Sequence, residues 1–569
     1  MGFALSLRSA PALPKLAWLA HLDFERRTLF VLHGSAVEHH KDWVVEGVWD
    51  GNFAEGDFHL SENFFGSGIR IKNGLVYFVP SSGLVDRLFY CLPHKKMLVS
   101  NSLPLLLAGT GGSLDLSHNY DPESTAISKG IRHYNPDFKV THPQIEKFLQ
   151  IYHHNIVVDQ GGNISLEART KVHDLSSFQD YYGRLQQILQ RLRANYADPS
   201  RATPLAAFSA ISSGYDSAAV SRLVSSLGVT TCFNSRRSNS AVPSWLPTNM
   251  ALDDGTAIAR KLSMEVIYLD RPSTDVCEDE VYFYAVGSVG AEPIFHSMAA
   301  YIIAHCQAAV VFTGYHGGEV WEAELEPKYL NSDLRESGVD GLLLSEMRLK
   351  AGFIHIPVPF ILARSVVSLN RISRSPEMQP WRLGTSYDRP IPRRILEEAG
   401  VERQLFGMRK KAVMTHVVGF PRNPRLRKQF RQFLRDHCRV QTTYASFRNK
   451  FNRLGYYGCR ASDYFLQLVR SRTFTLPPRF SYNLQTKWNV WQTESKLRNL
   501  LFIWAVGVLT QRIAPVVNDS PASCGVSNSC ALPPTPRLGR YGLVYSLIGH
   551  RIGYSHSQEV SRCIPQRCP

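Results

Sequence analysis

From Pro204 onward, short apolar runs alternate with helical patterns, and this alternation constrains the fold more than any other feature of the chain. The strand-like runs are "PLAAFSAI", "TTCFNS", "EVIYLD" and "AVVFTG", and the helical patterns between them cover 216–227, 253–262 and 294–307. Strands separated by helices form parallel sheets that carry helices on both faces. The sequence therefore predicts an α/β fold with a parallel sheet in this region.

The first 170 residues have a different texture, in which β-rich runs such as "TLFVLHGSAV", "WVVEGVWDG" and "GIRIKNGLVYFVP" alternate with turn signals. This spacing predicts a mainly antiparallel β domain, followed by a linking helix in "LSSFQDYYGRLQQILQRLRANY". Residues beyond 340 are predicted to be mostly helical. We expect three parts: a β domain over 1–170, the α/β domain over 171–513, and a poorly ordered tail over 514–569, rich in Pro, Ser and Cys.

Membrane insertion and export are not expected from the sequence. The longest apolar stretch, Leu500 to Leu509, is followed at once by Gln511 and Arg512, so we interpret it as a buried helix. The N-terminus lacks the basic and apolar regions of a signal peptide. These features predict a cytoplasmic protein with no membrane partner.

Positive charge is concentrated in one segment. The chain carries a formal net charge of +16, and residues 371–460 contain 21 Lys or Arg against 6 Asp or Glu. This surplus favours an anionic partner such as ATP, pyrophosphate or nucleic acid, although a solvated basic face has the same composition.

The Ser/Gly-rich knot "SSGYDS" lies where the first strand of the α/β region meets its helix, at the sheet edge where ligands bind in such folds. Backbone N–H groups and a helix N-terminus converge there, which suits a phosphate group. We expect Ser212, Ser213 and Ser217 to add hydroxyl donors. Gly214 would allow close approach or a positive φ, and Asp216 would face a divalent metal ion.

The alternative for Asp216 is a simple helix cap, a common role of Asp. The two interpretations differ in what Asp216→Asn would do. A metal-side carboxylate predicts weaker metal-dependent nucleotide binding, whereas a cap predicts almost no change, because Asn caps nearly as well as Asp.

"SSGYDS" resembles the phosphate loop of the ATP pyrophosphatases, and the order of elements around it resembles the asparagine synthetase family. "TGYHGGEVW" is similar to the second loop of that family in its β-lactam synthetase form. "LLLSEMRLKAGF" and "GMRKKAV" resemble segments that follow. The resemblance implies an adenine-nucleotide α-hydrolase-like fold that binds ATP and Mg²⁺, with Thr313 and Gly314 at the nucleotide.

Further roles are implied by the same resemblance. Tyr315 and Glu346 would form a dyad that deprotonates an attacking amine, while Lys411 or Lys410 would neutralise charge on the α-phosphate and pyrophosphate. The alternatives are a buried Tyr, a Glu on a helix surface and a solvated Lys.

Three departures from the family pattern stand out. Ser213 replaces a Gly of the first loop, and Gly318 replaces the metal-side Asp of the second, with Glu319 adjacent as a substitute metal ligand. The N-terminal region resembles, weakly and through "SGLVDRLFYCLPHKKMLVSNSLPLLL", a glutamine amidotransferase domain of the Ntn type. Gly2 stands where the nucleophilic Cys is needed, so we expect no glutaminase activity.

The resemblance implies an ATP-dependent, AMP-forming ligase that activates a carboxylate as an acyl-adenylate for attack by an amine. A catalytically silent nucleotide-binding or regulatory relative remains open because of Ser213 and Gly318. RNA modification by base adenylation also remains open, although the second loop and Glu346 resemble amide-forming members. We expect small-molecule partners rather than nucleic acid, and the sequence is compatible with a homodimer.

Overall fold

The structure, a computed structural model, describes residues 2–236, 253–269, 277–286, 293–335, 344–385, 387–408, 420–438 and 496–519. Met1–Ser523 form one compact unit, and Cys524–Pro569 form a second unit that lies outside the described residues.

The strands, numbered in chain order, are β1 (Ala4–Ser9), β2 (Trp18–Asp23), β3 (Thr28–His33), β4 (Glu38–His39), β5 (Trp43–Trp49), β6 (Phe64–Lys72), β7 (Leu75–Val79), β8 (Leu88–Cys91), β9 (Lys96–Ser100), β10 (Asp137–Lys139), β11 (Lys147–Ile151), β12 (Asn155–Val158), β13 (Ile164–Glu167), β14 (Leu205–Ile211), β15 (Thr231–Asn234), β16 (Glu265–Tyr268), β17 (Ala308–Thr313) and β18 (Phe353–Pro357).

The described α-helices are α1 (Leu103–Thr110), α2 (Asp121–Ser124), α3 (Phe178–Tyr196), α4 (Tyr215–Ser225), α5 (Thr256–Lys261), α6 (Val281–Tyr284), α7 (Pro293–His305), α8 (Gly317–Val320), α9 (Ser345–Ala351), α10 (Val366–Arg374), α11 (Pro390–Glu397), α12 (Pro424–Cys438) and α13 (Lys496–Asn518).

The N-terminal β-rich region is a sandwich of two sheets, which confirms the predicted mainly antiparallel β structure. One sheet has the order β1-β3-β2-β9-β8-β11-β10 and is antiparallel except for the parallel pair β1 and β3. The other has the order β13-β12-β7-β6-β5-β4 and is antiparallel throughout. Alternate residues of β2, including Trp18 and Ala20, join Ile69 and Phe78 of the opposite sheet in one core. Leu19, which points the other way, packs in the larger core with α1.

The second region contains the predicted parallel sheet, in the order β16-β15-β14-β17-β18. β14 lies between β15 and β17 and is parallel to both. The sequence interpretation missed β18, because it treated everything beyond residue 340 as mostly helical. "FIHIP" is a short, fully buried run with β-branched residues after Gly352, a pattern typical of a buried parallel strand, and this was the available signal. The fold is therefore mixed α/β with antiparallel and parallel sheets.

Helix α13 is the buried helix that the sequence predicts around 500–509. Leu500, Phe502, Trp504 and Leu509 are buried in the same core as the parallel sheet, and Trp504 packs on Phe430 of α12 with ring centroids 5.2 Å apart. Residues Leu497–Asn518 are long and apolar enough to cross a membrane by length and composition. In the structure, 56% of their most apolar 18-residue window is buried inside the protein.

The predicted start of the tail at residue 514 was wrong by a few residues. α13 continues to Asn518 with Pro515 inside it, because Val517 packs in the core and holds the last turn on the protein. The rest of the predicted tail lies outside the described residues.

Candidate functional site

The two predicted loops meet at the carboxyl edge of the parallel sheet. β14 leads through Ser212–Gly214 into α4, and the neighbouring strand β17 leads through Gly314–His316 into α8. A Cβ on Gly314 would lie 2.4 Å from the backbone of Asp216 and Ser217, and one on Gly317 would lie 2.4 Å from Asp216 Cγ. The second loop therefore packs directly against the first, and only glycine fits at both points.

The hydroxyl groups of the first loop are organised among themselves and toward Asp253. Ser212 Oγ and Ser217 Oγ are 2.7 Å apart, and Gly214 N–H donates to Ser212 Oγ at 3.1 Å. Ser213 donates to Asp253 Oδ1 through both its backbone N–H, at 3.1 Å, and its hydroxyl, at 2.8 Å. The hydroxyl of Ser213, where the resemblance implies a glycine, thus has a structural partner, which is buried Asp253.

Gly214 is the N-cap residue of α4, with φ −76° and ψ 171°, so the positive φ allowed by the sequence interpretation is not used. A Cβ here would meet only Ser212 Oγ at 3.2 Å and the Tyr387 hydroxyl at 3.9 Å. The contact at 3.2 Å is tight, so glycine at 214 lets the chain pass close to Ser212 at the first turn of α4. Within the described part of the chain, no side chain caps that turn, so its N–H groups and helix dipole suit an anion.

Asp216 is not the helix cap. It lies within the first turn of α4, and its Oδ2 accepts a hydrogen bond from Nη1 of Arg389, which directly precedes α11. Its Oδ1 is buried and has no hydrogen-bond partner among the described residues. The capping alternative was therefore wrong, and the actual partner of Asp216 is a guanidinium that the sequence interpretation did not single out.

Arg389 joins the two loops to a third segment. Its Nε donates to Glu322 Oε2 at 3.1 Å, and its guanidinium lies 5.0 Å from the centre of the Tyr387 ring. Burial lowers the pKa of the guanidinium, but Asp216, Tyr387 and Glu322 raise it above its ordinary value. Burial also raises the pKa of the Glu322 carboxyl, against the opposing effect of Arg389. Arg389 lies in the basic segment 371–460, but a charge surplus cannot show which of its cations is buried.

The divalent ion that was expected at Asp216 does not fit these residues well. One carboxylate oxygen of Asp216 is taken by Arg389, and the other lies against Gly317. Glu319 Oε2 lies 3.5 Å from Nδ1 of His316, a residue that stacks on Phe360 and whose pKa burial lowers to about 3. Among the residues that the structure describes, no group of three or more His, Cys, Asp or Glu could hold a metal ion.

Thr313 and Tyr315 lie at the end of β17. Thr313 Oγ1 and His355 Nε2 of β18 are hydrogen-bonded at 2.7 Å, and the Tyr315 N–H donates to Thr313 Oγ1 at 3.4 Å. The Tyr315 ring is half-buried, with its centroid 6.2 Å from that of His355. Tyr315 therefore lies at the second loop, as the sequence predicts.

Glu346 is not on a helix surface, as the alternative proposed, but is buried at the start of α9. Its Oε2 accepts from the Ser102 hydroxyl at 2.8 Å and its Oε1 from the Leu103 N–H at 3.1 Å, so it binds the N-terminus of α1. Burial raises the pKa of Glu346 to about 7, against the opposing effect of these two hydrogen bonds. The predicted dyad with Tyr315 stays a prediction, and the contacts of Glu346 described here are with the N-terminal region.

Lys410 and Lys411 lie outside the described residues. Gly407, three residues before Lys410, contacts the first loop. Gly407 N–H donates to the Ser213 carbonyl at 2.9 Å. Gly407 has φ +64°, and a Cβ there would lie 2.3 Å from the ring of Tyr215. The glycine at position 407 therefore allows this segment to pack against the first loop.

No protein-family model matches the chain, and no curated protein matches its sequence.

Proposed function

We propose that the loop site binds ATP and that the protein is an asparagine synthetase-like, AMP-forming ligase. The observation that carries this proposal is the packing of the two glycine-rich loops against each other at the carboxyl ends of β14 and β17. Ligands of parallel α/β sheets bind at this edge, and among the described residues no side chain caps the first turn of α4 there.

The proposed reaction has two steps. A carboxylate oxygen attacks the α-phosphorus of ATP, the bond to the pyrophosphate oxygen breaks, and an acyl-adenylate forms. An amine then attacks the acyl carbon, AMP leaves, and the amine proton passes to a base, for which Tyr315 with Glu346 remains the candidate. Ser212, Ser217 and the N–H groups of α4 would hold the phosphates, and Lys410 or Lys411 would neutralise the leaving pyrophosphate.

The proposal extends to the finer parts of the fold. The parallel-sheet region would be the synthetase domain of adenine-nucleotide α-hydrolase type, and the β sandwich a degenerate glutamine amidotransferase-like domain. The partners would be a small carboxylate and an amine, in the cytoplasm, for a chain compatible with a homodimer.

A second candidate is a catalytically silent relative that binds nucleotide without turnover. The pairing of Asp216 with Arg389 favours it, because this carboxylate is then engaged by the protein itself.

Isotope exchange between pyrophosphate and ATP, measured across a panel of carboxylates, tests the ligase. We expect exchange with at least one carboxylate, and a reduced rate in Ser217→Ala, which removes the hydroxyl partner of Ser212. Ser226→Ala, beyond the other end of α4, is the matched control and should leave exchange unchanged. ATP binding without any exchange would support the silent relative, and a protein that binds no ATP would contradict both candidates.

A further inference from the structure

Arg389 occupies the position beside Asp216 at which the sequence predicts a divalent cation. It binds Asp216 through Nη1 and Glu322 through Nε, and its side chain is only 4% exposed, against 19% for Asp216 and 15% for Glu322. The positive charge of Arg389 therefore lies between the carboxylates of Asp216 and Glu322, where the two loops meet.

The segment that carries Arg389 is held firmly in place. Asp388 is fully buried and its Oδ2 accepts hydrogen bonds from the N–H groups of Leu383 and Gly384, at 3.0 and 2.9 Å. The Asp388 N–H donates to Glu322 Oε1 at 3.2 Å, so Glu322 binds both the backbone and the guanidinium of this segment. Arg389 is thus a fixed part of the site rather than a mobile surface side chain.

The same guanidinium also lies beside Gly318. A Cβ at Gly318 would lie 2.8 Å from Nη2 of Arg389, closer than real Cβ contacts allow. The sequence interpretation treated Gly318 as a lost metal-side carboxylate. In the structure, the space beside Gly318 is filled by a cation of the protein.

We propose that Arg389 is the resident cation of the loop site, so that the site takes a pyrophosphate or triphosphate group without a divalent metal ion. A planar guanidinium is well suited to phosphate oxygens, and Arg stays charged when buried. Neither oxygen of Asp216 is open to a hydrated ion, since one binds Arg389 and the other is buried against Gly317. This inference rests on the proposed phosphate site and specifies the form of ligand that it binds.

The test is a calorimetric titration of the full-length protein with sodium pyrophosphate, in excess EDTA and in excess Mg²⁺. We expect apparent dissociation constants within about threefold of each other, since no metal ion completes the site. Arg389→Gln should weaken metal-free binding by about tenfold or more, because it removes the charged donor. Arg374→Gln, which removes an exposed Arg at the end of α10, makes the same charge change and should bind like the parent.

If Arg389→Gln fails to fold, Arg389→Lys replaces it, because lysine keeps the positive charge. We expect Arg389→Lys to bind pyrophosphate without metal, with a smaller loss of affinity than in Arg389→Gln. Binding by the parent only in the presence of Mg²⁺ would overturn the resident-cation inference and leave the phosphate site standing. Equal binding by Arg389→Gln and Arg374→Gln would overturn the role of Arg389. No binding under either condition would overturn the phosphate site itself.

Discussion

Three polar side chains that the sequence singles out have hydrogen-bond partners that it does not show. Asp216, Ser213 and Glu346 were each singled out from local motifs, but their partners Arg389, Asp253 and Ser102 lie far away in the chain. Motif spacing reveals which groups lie on one turn or loop. It does not reveal which distant side chain is buried against them, because long-range pairing depends on how the whole chain packs.

The raised pKa of Glu346 predicts how the stability of the protein depends on pH. Its pKa in the folded protein is raised from 4.5 to about 7, so between these values the folded state retains a proton that the unfolded state has lost. This group therefore makes stability fall as pH rises through that window, by up to about 3 kcal/mol in total. Glu346→Gln cannot ionise and should remove this part of the pH dependence.

Urea unfolding of both proteins at pH 5 and pH 8 is the measurement. The stability advantage of the parent over Glu346→Gln should be larger at pH 5 than at pH 8. A difference between the two proteins that stays constant with pH would show that Glu346 is not buried with a raised pKa.

At the scale of elements, periodicity predicted the parts with strong and regular patterns. The alternation after Pro204 predicted β14 to β17 and the helices α4, α5 and α7, and the apolar run near residue 500 predicted α13. It missed β18, a five-residue buried strand, because so short an apolar run does not distinguish strand from helix. The tail was also predicted to start too early, because the composition after Ala514 is rich in Pro, Ser and Cys without periodicity, although Val517 is buried.

The packing of helix α13 predicts how substitutions in it change the stability of the protein. Trp504→Ala should destabilise the protein by about 3–5 kcal/mol, because it leaves a cavity beside Phe430 in the core. Gln511→Ala, at an exposed position of the same helix, should change stability by less than about 0.5 kcal/mol. Chemical denaturation measures both. A small effect of Trp504→Ala, with binding of the parent to lipid vesicles, would indicate that α13 inserts into membranes instead.

At the scale of the whole molecule, buried charges join the β sandwich to the parallel-sheet region. Arg348 of α9 donates to both oxygens of Glu46 on β5, at 2.7 and 3.1 Å, and to Asp86 at 3.0 Å. Glu346, also of α9, binds the N-terminus of α1. These contacts join the N-terminal region directly to α9, which follows the second loop. The N-terminal region therefore packs on the parallel-sheet region through buried ion pairs and hydrogen bonds.

Titration of Asp216→Asn with ATP tests whether the two loops form a polyphosphate site in which Asp216 binds Arg389 rather than a metal ion. The substitution keeps the shape of the side chain and removes one negative charge beside the phosphates. Parent and variant are titrated in excess EDTA and in excess Mg²⁺, with melting curves recorded in parallel. We predict that the parent binds ATP in EDTA and that Asp216→Asn binds it at least as tightly, while melting at a lower temperature because the buried ion pair is weakened. Binding that requires Mg²⁺ in the parent and is lost in Asp216→Asn would show instead that Asp216 is a metal ligand.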